Sequence, residues 1–266
     1  MIRKIPYAIA LLIVVASASD ATADPFSNGR WIDLTHEFSP ETVYWPTERS
    51  FELETLFEGY TDAGYYYMAN RFSAPEHGGT HMDAPIHFAE GRRTVAEVPL
   101  EQLIGNAVVV DVSEKAARDR DYQVNVGDFE AWEAANGPIP DGAIVLLDTG
   151  FGRFWPDRVR YMGTDERGEQ AVAKLHFPGL HPDAARWLAS ERGIKAVGLD
   201  TPSIDYGQSR LFESHRILFD KNIPAFENLA NLGELPSTGA SVVALPMKIR
   251  NGSGAPLRIV AFVPKE

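Results

Sequence analysis

Three of the chain's seven histidines lie within one stretch of eleven residues, numbers 77–87, which reads HGGTHMDAPIH. Together with Asp83, the side chains of His77, His81 and His87 offer imidazole nitrogens and a carboxylate, a ligand set that suits zinc or manganese. Three such ligands leave coordination positions open for water, as a catalytic metal site requires. The stretch therefore predicts a catalytic metal site. Surface or helix-capping histidines are the alternative, and the density of ligands argues against it.

The backbone of this stretch decides which side chains can meet. His77 and His81 are four residues apart, so a helix would place both on one face, as in zinc proteases with two histidines at that spacing. Gly78-Gly79 argues against a helix, because two glycines cost about 2 kcal/mol relative to alanine. Pro85 argues against a helix for a second reason, since it has no backbone N–H to donate.

An extended chain after the glycines brings the ligands together instead. Side chains alternate along a strand, so His81, Asp83 and His87 would share one face. His77 would then be turned toward the same point by the two glycines, whose backbones adopt tight turns easily. We therefore predict a strand face that carries metal ligands side by side.

The elements that must support this strand can be read from the apolar pattern. Strands are expected at 51–57 and 65–72, joined by a turn at 61–64, and at 107–110, 144–147, 196–199, 242–245 and 259–263. Helices are expected at 128–135, 182–192 and 212–220. Strands mixed with helices, without repeats or a low-complexity linker, predict a single α/β or α+β domain with a mixed sheet.

Composition excludes several classes of protein. The chain has 44% hydrophobic and 23% charged residues, which is typical of a globular domain, and a net charge of -12. An acidic surface repels phosphate backbones and anionic lipid, so we expect no nucleic-acid partner. The chain has no cysteine. Disulfides, thiolate catalysis and cysteine zinc sites are therefore excluded, and any metal must be held by histidine and carboxylate.

The first residues have the pattern of an export signal. Arg3 and Lys4 precede an apolar run at 8–16, and Ala21-Thr22-Ala23 has the small residues preferred for cleavage. We predict a signal peptide at 1–23, a mature domain at 24–266, and an exported, periplasmic protein that is not membrane-bound after cleavage. A retained membrane helix is the alternative, but the apolar run is shorter than the about 20 residues that a span needs.

Other catalytic patterns are incomplete. Asp148-Thr149-Gly150 matches the triplet of aspartic proteases, but these need a second such carboxylate, and Asp200-Thr201-Pro202 lacks the glycine. No Gly-x-Ser-x-Gly sequence occurs, which argues against a serine hydrolase. Asp200, Ser203 and Asp205 are expected to orient ligands or cap a turn. Several aromatic side chains could stack on an aromatic substrate or belong to the core and the sheet surface, and both interpretations stay open: Trp45, Tyr65, Tyr66, Tyr67, Phe72 and Trp155.

The stretch 77–87 resembles the cyclase family of metal-dependent hydrolases, which includes bacterial kynurenine formamidases and isatin hydrolases. The family signature His-x-Gly-Thr-His-x-Asp-x-Pro-x-His is matched at every fixed position. Weaker family landmarks follow the signature through most of the mature chain, at 33–36, 177–179, 198–205 and 227–229. The resemblance implies a barrel-like core flanked by helices and a homodimer.

The resemblance also implies roles for individual residues. His77, His81 and Asp83 would bind a metal ion, and His87 would shuttle protons. His215 and Glu227 match the twelve-residue spacing of a pair that completes a second metal position in some members, so one or two ions of manganese or zinc are expected. Without the resemblance, His215 would be interpreted as a histidine on a helix face.

These roles predict a metal-dependent amidohydrolase that uses metal-activated water, with His87 as acid and base. The substrate would be a small aromatic amide or lactam, and isatin and N-formylkynurenine both remain candidates because the motif specifies chemistry rather than substrate. A periplasmic metal-binding protein without turnover, or an inactive family member, is the alternative.

Overall fold

The computed structural model describes residues 26–265. The predicted signal peptide, residues 1–23, lies outside them and stays a prediction. Among the residues described, no helix is both long enough and apolar enough to cross a bilayer.

Twelve strands and seven α-helices follow one another along this part of the chain. The strands are β1 (Gly29–Asp33), β2 (Glu52–Tyr60), β3 (Tyr66–Ser73), β4 (His81–Asp83), β5 (Ile104–Asp111), β6 (Gln123–Val124), β7 (Ile144–Asp148), β8 (Gly179–Leu180), β9 (Ala196–Leu199), β10 (Ala225–Glu227), β11 (Ser241–Pro246) and β12 (Gly254–Pro264). The helices are α1 (Leu100–Leu103), α2 (Ser113–Arg118), α3 (Val126–Asn136), α4 (Arg158–Met162), α5 (Glu169–Val172), α6 (Pro182–Glu191) and α7 (Glu213–Asp220). Short 3-10 turns occupy Pro85–His87, Val95–Glu97, Phe151–Phe154 and Leu232–Glu234.

Seven of the strands close into a barrel-like sheet. Their order is β12, β11, β5, β7, β9, β10 and β4, and β4 pairs again with β12. Strands β5, β7, β9 and β10 are parallel, and the other pairs are antiparallel. The expected α/β fold with a mixed sheet and a barrel-like core flanked by helices is confirmed.

Strand β7 shows why the central strands are continuously apolar. Ile144 and Leu146 face one hydrophobic core together with residues of β11 and β12, whereas Val145 and Leu147 face a second core. Residues of α3, α6 and α7 belong to that second core. Both faces of the strand are therefore buried, and a run of apolar residues without alternation is the pattern such a strand requires.

The parallel arrangement places acidic residues at one edge of the barrel. Asp111, Asp148 and Glu227 end strands β5, β7 and β10, and Asp200 directly follows β9. The antiparallel strand β4 pairs with β10 so that His81 lies opposite Glu227. The fold thus brings the central histidine of stretch 77–87 to the carboxyl end of the parallel strands, where ligands commonly bind in such sheets.

Strands β2 and β3 form a separate two-stranded ribbon, joined by the turn that the sequence predicted. Most of its side chains are exposed, including the predicted aromatic cluster Tyr65-Tyr66-Tyr67 and Phe72. These aromatic residues therefore lie on a sheet surface and outside the core. A two-stranded ribbon alone is marginally stable in water, and this one leaves apolar side chains exposed.

Candidate metal centre

A glycine turn delivers His77 to the site. Gly78 has φ 147° and Gly79 has φ 60°, which are conformations that side-chain-bearing residues rarely adopt. A Cβ atom on Gly78 would lie 2.1 Å from the ring of Tyr44, so the turn also passes directly against that buried side chain. The prediction that the glycines turn His77 toward the strand is confirmed.

The expected strand, however, ends earlier than the sequence suggested. Strand β4 stops at Asp83, and Pro85–His87 is a 3-10 turn closed by the backbone N–H of His87 donating to Ala84. The prediction that His87 shares a strand face with His81 was wrong. Pro85 is the reason, because its fixed φ and missing N–H favour the first turn of a helix over a sheet ladder. His87 still reaches the site, with Nε2 4.0 Å from Asp83 Oδ2.

Asp83 lies at the centre of the cluster. One carboxylate oxygen, Oδ1, is 2.6 Å from His77 Nδ1 and 3.0 Å from His81 Nε2. The other, Oδ2, is 3.3 Å from His215 Nε2. Glu227 closes the ring, 3.2 Å from His215 Nε2 and 3.5 Å from His81 Nε2.

The donor atoms form two overlapping groups that could each hold a metal ion. One group comprises His77, Asp83 and His87, and the other comprises His81, Asp83 and Glu227; within each group the donor atoms lie within 4.8 Å of one another. The structure thus brings together all six predicted site residues, including His215 and Glu227. It also places His87 close enough to be a ligand, as the ligand types of the stretch allowed, although the family resemblance implied a proton shuttle.

The hydrogen bonds of His81 and His215 leave one nitrogen of each for the site. His81 Nδ1 is 2.9 Å from the carbonyl oxygen of Gly79, and His215 Nδ1 is 2.6 Å from Asp205 Oδ2. Both Nδ1 atoms are therefore donors, and both Nε2 atoms face the carboxylates. The buried Nε2 of His81 makes no hydrogen bond within the described part of the chain. An imidazole nitrogen held in this way, beside two carboxylates, fits a divalent cation.

Burial and charge compete at these groups. Burial alone would lower the pKa of His81 and His215, but the carboxylates around them outweigh it and raise both. Burial would raise the pKa of Asp83, but the surrounding imidazoles hold it well below its usual value. Burial and the charge of Asp83 raise the pKa of Glu227. The cluster therefore holds protons tightly in a small volume, and a divalent cation can replace them.

His87 differs from the other histidines of the site. Burial lowers its pKa to about 4, against the opposing effect of the Asp83 charge. Its ring stacks on that of His77, with 3.7 Å between the centroids. The imidazole of His87 is therefore neutral near pH 7, the form that a group must have before it can accept a proton.

The cluster opens into a cavity of about 440 Å³. Trp45, Phe88 and Phe212 line it, and Phe88 contacts both Phe212 and His215 through its ring. A cavity of this size suits a small molecule, and aromatic rings on its wall favour a flat apolar one.

The residues that were predicted to support the site differ in what they contact. Asp205 orients His215, as the sequence suggested. Asp200 instead accepts hydrogen bonds from Thr149 and from the backbone of Gly152, so it supports the 3-10 turn after β7. Ser203 lines the cavity. Of the ambiguous tryptophans, Trp45 lines the cavity, whereas Trp155 stacks on His36.

Sequence reasoning missed several residues of the site. Phe88 and Phe212 carried no signal beyond being aromatic, and Glu76 only preceded the first histidine. Ser253 lies between β11 and β12, and its hydroxyl is 2.9 Å from His77 Nε2. Only the pairing of β12 with β4 brings this serine to the site.

Comparison with known proteins places this architecture in a family. The Cyclase family model matches residues 32–206, more than half of the chain. The chain belongs to the Cyclase family. A curated relative of this Cyclase-family chain, the isatin hydrolase of Roseibium aggregatum, is 33% identical over 222 residues, or 80% of this chain and 81% of the relative. Another, the kynurenine formamidase of Erythrobacter litoralis, is 26% identical, over 88% of this chain and 94% of the relative.

Solved structures share the fold. An isatin hydrolase bound to the product analogue thioisatinate matches this Cyclase-family chain with a TM-score of 0.81 and 30% identity, over 90% of this chain and 94% of that one. A protein described as a predicted metal-dependent hydrolase from Bacillus stearothermophilus matches with a TM-score of 0.62 and 25% identity, over 88% and 98%. The relatives are thus hydrolases that act on amide bonds.

The glycine turn gives a direct test of how the site is positioned. Gly78→Ala should displace His77, because the new Cβ would both strain the backbone and collide with Tyr44. The matched control is Gly59→Ala, since Gly59 has a similar φ of 152° but open space around its Cβ. We expect Gly78→Ala to lower the melting temperature and the affinity for Mn²⁺ much more than Gly59→Ala does. Equal effects in calorimetry would show that backbone strain alone, and no contact with Tyr44, matters here.

Proposed function

We propose that this protein is a metal-dependent hydrolase that cleaves the C–N bond of a small aromatic amide or lactam. The observation that carries the proposal is the histidine and carboxylate cluster around Asp83, which lines the same cavity as the aromatic rings of Trp45, Phe88 and Phe212. The amide-bond hydrolases among the relatives support it.

The residues of the cluster would divide between two positions. His77, His81 and Asp83 would hold one divalent cation, manganese or zinc, and His215 with Glu227 would complete a second. Such a cation, when bound, supplies a water molecule whose pKa falls toward about 7 and polarises the carbonyl of the substrate.

The chain's own groups account for proton transfer and orientation. Hydrolysis adds water across the C–N bond, so one proton must leave the attacking water and one must reach the departing nitrogen. His87 is neutral near pH 7 and lies at the edge of the cluster, so it can accept the first proton and deliver it to the nitrogen. Trp45, Phe88 and Phe212 would hold the aromatic ring of the substrate by stacking.

Opening of the isatin lactam is our first choice of reaction, and deformylation of N-formylkynurenine is the second. The identity of 33% to an isatin hydrolase, against 26% to a kynurenine formamidase, favours the lactam.

The central test is metal content measured together with turnover. Purified protein should bind one or two ions per chain by elemental analysis and hydrolyse isatin or N-formylkynurenine, followed by absorbance. Chelation should abolish turnover, and Mn²⁺ or Zn²⁺ should restore it. If two ions bind, Glu227→Gln should reduce the count to one. Bound metal without turnover on any amide, lactam, lactone or ester would contradict the proposed enzymatic activity. The protein would then be a metal-binding protein or an inactive family member.

His87 can be tested separately, because two roles are open to it in the structure. As a proton shuttle, His87→Ala should retain the metal count and affinity of the wild type while turnover falls by roughly 100-fold or more. If His87 is instead a ligand, the His87→Ala variant should bind the ion more weakly as well. His176→Ala is a suitable control, since His176 pairs with Asp121 away from the cavity. An active His87→Ala enzyme would refute both roles.

We further propose that the protein is a homodimer in which a second copy covers the ribbon of β2 and β3. One face of the ribbon carries Leu53, Tyr66, Met68 and Phe72, all about half exposed or more.

A charge on this face, Met68→Glu, should therefore shift the protein toward monomer in sedimentation or light scattering. Ser73→Glu, on the opposite face, should leave the mass unchanged. A wild-type protein that is monomeric at micromolar concentration would exclude the dimer.

A further inference from the structure

The loop between β11 and β12 lies against the first histidine of the site. Ser253 Oγ is 2.9 Å from His77 Nε2 and 2.7 Å from Glu76 Oε2. The same Glu76 oxygen accepts the backbone N–H of Ser253 at 2.9 Å and that of Gly254 at 3.3 Å. Glu76, Ser253, His77 and Asp83 thus form one continuous line of polar contacts.

The number of protons fixes the direction of this line. A serine hydroxyl has one proton to donate. Glu76 Oε2 accepts two backbone N–H groups and therefore has no proton of its own to donate, so the hydroxyl proton goes to Glu76 and the hydroxyl oxygen is left as an acceptor. His77 Nε2 must then be the donor to Ser253. His77 Nδ1 faces Asp83 Oδ1 at 2.6 Å, and the proton held between these two atoms is the one that a cation would replace, so Nδ1 is the nitrogen of His77 that is left to bind a cation.

The ring of His77 is therefore oriented in the opposite way to the rings of His81 and His215, because it donates through Nε2. His81 and His215 donate through Nδ1 and present Nε2 to the carboxylates. The backbone also confines the ring of His77, because a Cβ atom on Gly254 would lie 2.5 Å from its Cε1 and 2.9 Å from its Nδ1. The loop thus determines both the position of the ring and the nitrogen that carries the proton.

We propose that Glu76 and Ser253 are positioning residues that make Nδ1 the ligand atom of His77. The inference rests on the proposed function in that it requires a metal ion at the cluster. Partners that orient a ligating histidine typically contribute about 10- to 100-fold to metal affinity, and the same contribution is expected of Ser253.

The competing explanation is that Glu76 only holds the loop in shape. Ser253→Ala separates the two explanations, because it keeps both backbone donors to Glu76 and removes only the hydroxyl. Ser253→Thr restores a hydroxyl. Ser241→Ala is the matched control, since the hydroxyl of Ser241 bonds Asn106 on an exposed part of β11.

The experiment measures Mn²⁺ affinity by calorimetry and the melting temperature of the metal-free protein. We expect Ser253→Ala to weaken binding by about 10- to 100-fold, with little change in melting temperature. Ser253→Thr and Ser241→Ala should bind close to the wild-type value. Unchanged affinity in Ser253→Ala would overturn the proposal, and so would an equal loss in Ser253→Thr.

A second measurement does not depend on the variants folding. In the metal-free wild type, ¹⁵N NMR of the imidazoles should show a proton on Nε2 of His77 and protons on Nδ1 of His81 and His215. An unprotonated Nε2 on His77 would overturn the proposal. If the wild type binds no metal, the proposed function fails, whereas the NMR result still reports on the contacts of His77.

Discussion

The structure depends on how one buried carboxylate is compensated. Asp83 is 2% exposed and lies within hydrogen-bonding or ion-pair distance of His77, His81 and His215. A buried charge without partners would cost several kcal/mol, so the imidazoles must be present for this fold to form around it. Those imidazoles come from the turn before β4, from β4 itself and from α7. The charge of Asp83 is therefore compensated by two histidines of its own stretch and by His215 from the distant helix α7.

The strand pairings that close the barrel also assemble the site. Strand β4 has three residues, and it pairs with β10 on one side and with the start of β12 on the other. The first pairing sets His81 opposite Glu227, and the second brings the loop that holds Ser253 against His77. A shift of either register by one residue would turn His81 and Asp83 away from the cluster, since strand side chains alternate in direction.

The sequence predicted which side chains of the stretch meet better than it predicted the path of their backbone. Ligand types and spacing at 77–87 pointed to side chains that the structure brings together around Asp83, and the Gly78-Gly79 pair correctly excluded a helix because the cost of glycine is a local property. The end of the strand at Asp83 was not foreseen, although Pro85 contains the reason. Ser253 could not have been found, because its role depends on a pairing between β4 and β12 that lie about 170 residues apart. Conformational preferences of neighbouring residues can be predicted from the sequence, whereas contacts that depend on the order of strands in the sheet cannot.

Substrate choice is the least predictable property for a related reason. Strands β4 and β10 supply His81, Asp83 and Glu227 to the cluster, whereas Trp45, Phe88 and Phe212 on the cavity wall come from outside the sheet: the loop before β2, the turn after β4 and the residue before α7. Phe212, in the last of these, has φ 47°, a left-handed conformation that costs a non-glycine residue about 1 kcal/mol or more. Strain of that size persists only where the surroundings enforce it, and here it presents an aromatic ring to the cavity beside Phe88. The metal ligands can therefore stay constant while a change at one strained loop residue alters which aromatic substrate fits.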